Sequence, residues 1–466
     1  MSKEQPALRN TFRDPAGTLR IEQNRILRTV TPDFSGFALE FLRHPQTVQW
    51  MAERRMVPTT VLDANPDSTL LEHERILYPS YPWEWTPGQW VAAAALTLDL
   101  AEESLEQGLT LKDATPLNVL FDGPRPIFVD VLSFEPRQLD SPIWLAYGQF
   151  VRTFLLPLAA WKYLGWPLGA SILRRDGYEP EELARHLGLL KRWSGPLRSL
   201  VALPALLGGK NPQTSVKPGK SATSYQVHQS PEIAKMVLKG RLRKLRRLLN
   251  ALAPSAQHSR WSDYPELAAH YSSSDHIQKQ NFVKQSLERI CPGQVLDLGA
   301  NTGNYSRIAA AAGAHVVAWD TDIEAAERNW RQALAEKLPI DVMIADVARP
   351  TPAVGWRYGE SSSLLSRAIG KFDCILVLGI LHHMLLAEQV PLSEIAEHLA
   401  ELTRAWIVIE WVPQHDPRFQ DLLRGRDKLY SHLTEESFCE VFSRFFTVDS
   451  SEQLANGRKL FLMKRR

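Results

Sequence analysis

Two hydrophobic periodicities divide the chain. In the carboxyl-terminal half short apolar runs alternate with segments of helical spacing: 295–298, 315–319, 340–345, 374–378 and 406–409 read as strands, and 305–312, 323–336 and 391–402 read as helices. Strand–helix alternation of this kind predicts a parallel sheet with crossover helices. Ahead of it, residues 233–252 place Leu242, Leu245, Leu248, Leu249 and Leu252 at helical spacing among Lys239, Arg241, Arg243, Lys244, Arg246 and Arg247. The pattern predicts a basic amphipathic helix that packs its leucines on a neighbouring domain and leaves its cations solvated. The first 200 residues are rich in Trp, Pro and Leu, with a long helix expected over 91–107. Their most apolar stretch, 150–173, is interrupted by Arg152, Pro157, Lys162 and Pro167. A bilayer span needs about 20 predominantly apolar residues, so this stretch reads as buried or partly interfacial helix. The polar run 211–230, with Pro212, Pro218 and Gly219, reads as a linker. Three parts are expected: 1–210, a linker with the basic helix over 211–263, and 264–466.

Composition narrows the function classes. The chain has 466 residues, 44% hydrophobic and 23% charged, which excludes a collagen-like or wholly disordered protein. Its 54 basic and 52 acidic side chains give a net charge of +2, so no global field attracts bulk nucleic acid. Cys291, Cys374 and Cys439 are odd in number, far apart and without metal-type spacing, and residues 1–20 lack the apolar core of a secretion signal. Both features predict a cytoplasmic location.

The most informative segment is Val295-Leu-Asp-Leu-Gly-Ala-Asn-Thr-Gly-Asn-Tyr305, an apolar strand running into a glycine turn that opens a helix. Glycines serve where the backbone turns sharply and a ligand approaches it closely. The next strand ends in Asp320, near the offset of about 20 residues at which a carboxylate meets ribose hydroxyls. A dinucleotide is the default ligand of such a crevice, but its pyrophosphate wants backbone N–H groups without a carboxylate beside them. Asp297, expected in the turn, costs an anion about 1–4 kcal/mol a few ångströms away and suits a ligand with a positive amino or sulfonium group. S-adenosylmethionine has both.

On these residues, with Ala345-Asp346 after the third strand and Phe372-Asp-Cys-Ile-Leu-Val-Leu-Gly-Ile-Leu-His-His-Met384 around the fourth, the segment 264–466 resembles the class I S-adenosylmethionine-dependent methyltransferases. The resemblance implies a Rossmann-like sheet in which Asp297, Gly299, Ala300, Asn301 and Gly303 surround the methionine part of the cofactor, Asp320 binds the ribose diol and Asp346 faces the adenine edge. Asn301 stands where the family's commonest loop has a glycine. Methyl transfer mainly needs proximity and alignment. Where the acceptor must lose a proton, a histidine titrating near 6.5 is a suitable base. His382 and His383 follow the fourth strand; only one is expected to face the crevice, and His383 is taken as the candidate. Adjacent histidines cannot both reach one ion from a regular element, so no metal is expected. Glu410, ending the fifth strand, either shapes the acceptor pocket or pairs with an arginine such as Arg418 or Arg424.

In the amino-terminal half, Asp113 and Asn118 have the Asp-x4-Asn spacing of a kinase catalytic loop, and Asp130 follows an apolar run as a magnesium-binding aspartate does. Residues 60–165 therefore resemble the catalytic segment of kinase-like phosphotransferases. No lysine occurs between Lys3 and Lys112, and Gly17, Gly36 and Gly88 form no phosphate-covering loop; Arg25 and Arg28 are possible substitutes for the missing lysine. The chain over nearly its whole length also resembles a bacterial family related to rhizobial host-specific nodulation proteins. The expected fold is α/β, a Rossmann-like methyltransferase sheet after an α+β kinase-like domain that recognises the acceptor without transferring phosphate. The expected function is S-adenosylmethionine-dependent methyl transfer to a small-molecule or carbohydrate-like acceptor. The alternative is a non-catalytic protein built of two binding modules.

Overall fold

A computed structural model of the chain describes residues 9–11, 13–22, 24–65, 68–208, 230–254 and 273–466. It forms two compact units, Met1–Ser255 and Ala256–Arg466.

The first unit opens with five antiparallel strands, β1 (Arg9–Thr11), β2 (Gly17–Glu22), β3 (Arg25–Val30), β4 (Thr59–Asn65) and β5 (Ser68–His73), in the order β1-β2-β3-β5-β4. A long helix, Pro87–Glu106, follows; Thr86 and Gln89 close its first turn as a capping box. Two short antiparallel pairs come next: β6 (Leu109–Leu111) with β9 (Phe134–Pro136), and β7 (Val119–Asp122) with β8 (Arg125–Phe128). The tryptophan-rich composition becomes a core in which Trp50, Trp85, Trp90, Phe121, Phe128 and Phe134 are fully buried. Within the apolar stretch 150–173, Phe150, Phe154, Leu155, Leu156 and Leu158 are completely covered. No helix among the described residues is long and apolar enough to cross a membrane.

The basic helix spans Pro231–Leu252 and belongs to this first unit. Its Leu238, Leu242, Leu245, Leu249 and Leu252 join the unit's core. Its cations are not all solvated: Lys235 and Lys239 pair with Glu106, and Arg246 with Asp99, both on the long helix. The expected linker lies, up to residue 229, outside the described residues.

The second unit is built on seven strands: β10 (Gln294–Leu298), β11 (His315–Asp320), β12 (Ile340–Ile344), β13 (Phe372–Val377), β14 (Thr403–Trp411), β15 (Phe446–Gln453) and β16 (Lys459–Arg465), in the order β12-β11-β10-β13-β14-β16-β15. The first five are parallel, and β16 runs antiparallel between β14 and β15. Val295, Leu296, Ile375, Leu376 and Val377 are fully buried, as the continuous apolar runs of a sheet covered on both faces require. The five expected strands are all present, β14 longer at both ends than its apolar run. The carboxyl-terminal hairpin β15–β16 has no counterpart in the expected set. The strand order reverses between β10 and β13, and the connections that leave them diverge there. That divergence opens a crevice at the carboxyl ends of the strands, where open α/β sheets bind ligands.

Candidate active site

A cavity of about 830 Å³ fills this crevice. The loop after β10 forms one wall. Gly299 has φ +70°, and a Cβ there would stand 3.1 Å from Ile380 Cδ1; Gly303 has φ +80°, and a Cβ there would fall 2.0 Å from Asn329 Oδ1. Asn301 sits at φ +50°, a left-handed conformation that Asn adopts more readily than other side chains. This accounts for an asparagine serving at that position in place of a glycine. The five loop amides from Gly299 to Gly303 all find acceptors inside the protein. Gly299 and Ala300 N–H donate to the Trp319 carbonyl at 2.9 and 3.0 Å, and Gly303 N–H to the Ala300 carbonyl at 2.9 Å. Asn301 N–H donates to Asp320 Oδ2 at 2.7 Å and Thr302 N–H to Asn301 Oδ1 at 2.7 Å.

Among the residues expected at the site, Gly299, Ala300, Asn301, Asp320, Asp346 and His383 line the cavity. Asp297 and Gly303 do not. Asp297 lies within β10 rather than in the turn, 1% exposed, where Ser306 Oγ donates to its Oδ2 at 2.6 Å. Burial pushes its carboxyl up to about 6. Its charge therefore acts from behind the loop, which corrects the expectation that it borders the ligand directly. Asp320, at the end of β11, accepts Asn301 N–H on one oxygen and Asp322 N–H on the other, the latter at 2.8 Å. Burial raises its pKa against the pull of these amides. Asp346 Oδ1 accepts the amides of Ala348 and Arg349 at 2.8 and 3.2 Å, and Oδ2 lies 3.2 Å from Arg349 Nη1.

His382 and His383 open the helix Leu381–Leu386 beyond β13, and both line the cavity, contrary to the expectation that only one faces it. Their rings are 4.4 Å apart, centroid to centroid. Burial first, then neighbouring positive charge, lowers both pKa values, that of His382 far below its ordinary range. Glu410 is paired with an arginine, as expected in kind, and that arginine is Arg458, joined by Lys279. Glu410 Oε2 accepts a hydrogen bond from Lys279 Nζ at 2.7 Å, and Oε1 lies 3.5 Å from Arg458 Nη1. Arg458 in turn binds Asp416 at 2.7 Å. All four side chains are at most 6% exposed. The sequence reading missed Lys279, Tyr305 and Arg458, all of which line the cavity. Lys279 comes from the helix Ser273–Ile290, and its Nζ lies 5.2 Å from the centre of the Tyr305 ring.

In the first unit Arg28, 4% exposed on β3, points its Nη1 at Asp130 Oδ1 at 2.9 Å. Ser133 Oγ donates to Asp130 Oδ2 at 2.5 Å, and Asn118 Nδ2 donates to Ser133 Oγ at 2.9 Å. Asp113 is half-buried, and burial together with the charge of Asp130 raises its pKa. Asp113, Asn118 and Asp130 thus share one neighbourhood. Arg25 instead pairs with Glu72 on β5.

No family model matches the chain. It is similar over nearly its whole length to the nodulation protein NoeA of Rhizobium meliloti (strain 1021), 29% identical over 452 residues covering 93% of this chain and 90% of that protein. Among solved structures, the magnesium protoporphyrin IX methyltransferase ChlM from Synechocystis PCC 6803 with bound SAH overlays 41% of this chain and 84% of its own, at 18% identity and TM-score 0.31. The N-methyltransferase NodS from Bradyrhizobium japonicum WM9 overlays 42% of this chain and 98% of its own, at 12% identity and TM-score 0.31.

Proposed function

We propose that the second unit is an S-adenosylmethionine-dependent methyltransferase acting on a small-molecule or carbohydrate-like acceptor. One observation carries this reading. The loop amides from Gly299 to Gly303 are taken by Trp319, Asp320, Asn301 and Ala300, and the cavity beside them is lined by Asp320, Asp322 and Asp346. A pyrophosphate needs free loop amides, and this loop leaves none. Asp320 suits the ribose diol of either ligand, while Asp322 and Asp346 beside it favour one that carries positive charge. The sheet order agrees with the fold that the resemblance to class I methyltransferases implies.

In this reading Asp320 accepts the ribose hydroxyls on the lone pairs its backbone donors leave, and Asp346 lies toward the adenine. The bound cofactor supplies a methyl group on a good leaving group, so the protein's part is alignment and proton removal. His383, kept neutral at pH 7 by burial and nearby arginines, accepts the proton of an acceptor hydroxyl or amine. The test is methyl-labelled cofactor with a cell extract: label passes to an extractable small molecule, and His383→Gln slows the transfer at least 100-fold. Label that never leaves the cofactor identifies a binding module instead.

For the first unit we infer a kinase-like module that transfers no phosphate. A metal-binding aspartate must offer its charge to the ion, whereas the Asp130 carboxylate is occupied by the buried Arg28 guanidinium. An arginine fork does not reproduce the lysine point charge of such sites.

A further inference from the structure

The cavity is electrically divided. Asp320, Asp322 and Asp346 line it beyond β11 and β12, and Arg349 at that end is paired with Asp346 and Glu388, both also on the wall. Beyond β13 and β14 the wall carries three cations, Lys279, Arg418 and Arg458, and one carboxylate, Glu388, which follows the helix of His382 and His383 and is paired with Arg349. The anions that balance Lys279 and Arg458 are Glu410 and Asp416, 0% and 4% exposed, and neither lines the cavity. The pairs are therefore layered, cation toward the cavity and carboxylate behind it. Arg418 belongs to the helix Pro417–Leu423, which packs against the helix carrying His382 and His383. Its Nη1 is 3.7 Å from Asp421, whose own side chain is 68% exposed.

Burial chiefly keeps both imidazoles neutral; Arg418 and Arg458 add to it at His383, and at His382 Arg458 and Lys279 act in the same direction against Glu410. A cationic acceptor is repelled from this end, and a neutral one gains nothing from the layering. An oxyanion gains from Lys279, Arg418 and Arg458, the charge of Glu388 being met by Arg349, and a guanidinium together with an imidazole suits carboxylate or phosphate oxygens.

We infer that the acceptor carries an oxyanion, a carboxylate or a phosphate, which seats between Arg418 and His383 at the end of the cavity away from Asp320. The inference rests on the methyltransferase reading for the word acceptor, but the anion subsite is testable without it.

The test uses the full chain with ¹³C-labelled histidine, and follows the imidazole signals while inorganic phosphate, or separately acetate, is titrated at constant ionic strength. It is run with and without S-adenosylhomocysteine, whose binding is measured independently by calorimetry. The signal lost in His383→Gln should move saturably with at least one anion. Arg418→Gln should weaken that response at least tenfold, and Arg418→Lys should weaken it less. The anion that saturates at the lower concentration identifies the acceptor's group. No saturable shift with either anion, or a response unchanged in a folded Arg418→Gln protein, overturns the inference. Anion binding without S-adenosylhomocysteine binding leaves the subsite standing and removes the cofactor reading.

Discussion

Asp320 is the side chain on which the cofactor reading bears most heavily, because its two oxygens are already oriented by Asn301 and Asp322 amides. Hydrogen bonds to a charged group are worth about 1.5–3 kcal/mol, so Asp320→Ala should weaken S-adenosylmethionine binding roughly tenfold or more in calorimetry. Gly303 and Asn301 give a paired prediction on stability. Gly303→Ala combines a left-handed backbone with a Cβ 2.0 Å from Asn329 Oδ1 and should cost about 2 kcal/mol or more. Asn301→Gly should change stability by about 0.5 kcal/mol or less; urea unfolding separates the two. Asp297 adds a pH signature. Its folded carboxyl titrates at about 6 against 3.8 for the ordinary group, so the folded state binds more protons between those values. Its contribution to stability therefore falls as pH rises through that window, by roughly 3 kcal/mol. Asp297→Asn should gain relative to wild type between pH 4 and pH 7, read from unfolding curves at both ends.

At the scale of elements, the Lys279–Glu410–Arg458–Asp416 chain ties the helix Ser273–Ile290, β14, the turn before Pro417 and the turn before β16 to the cavity floor. Removing one member of a buried ion pair leaves its partners uncompensated, at about 3–5 kcal/mol. Glu410→Ala should lower unfolding stability by that order, well beyond the effect of truncating an exposed pair such as Arg331–Glu327. This network was illegible in the sequence because its links span 131 and 42 residues and no local spacing marks them. Lys279 reads as one more solvated helix cation until β14 and the carboxyl-terminal hairpin enclose it. The glycine loop, Asp320 and Asp346 were legible because strand, turn and helix follow one another within a few residues. Asp297 was misplaced for the same reason: the motif gives its position in the chain but not the strand end, and Ser306 holds it inside. The amphipathic helix Pro231–Leu252 was legible as a helix, yet its acidic partners Glu106 and Asp99 lie more than a hundred residues away.

At the scale of the whole molecule, the two units use paired charge differently. In the first, Arg28 closes on Asp130 and removes the carboxylate a metal–nucleotide complex would need; the purified chain should show no transfer of the γ-phosphate of ATP, and Asp113→Ala should change nothing in that assay. Phosphate transfer abolished by Asp113→Ala would contradict the reading. In the second, paired charges line a cavity and leave its loop amides satisfied. The central claim is that this cavity takes S-adenosylmethionine. Calorimetric titration of the full chain with S-adenosylhomocysteine and, separately, with NAD tests it most directly. Saturable binding of S-adenosylhomocysteine, weakened at least tenfold by Asp320→Ala, is expected, with no binding of NAD. Binding of NAD without binding of S-adenosylhomocysteine would contradict it.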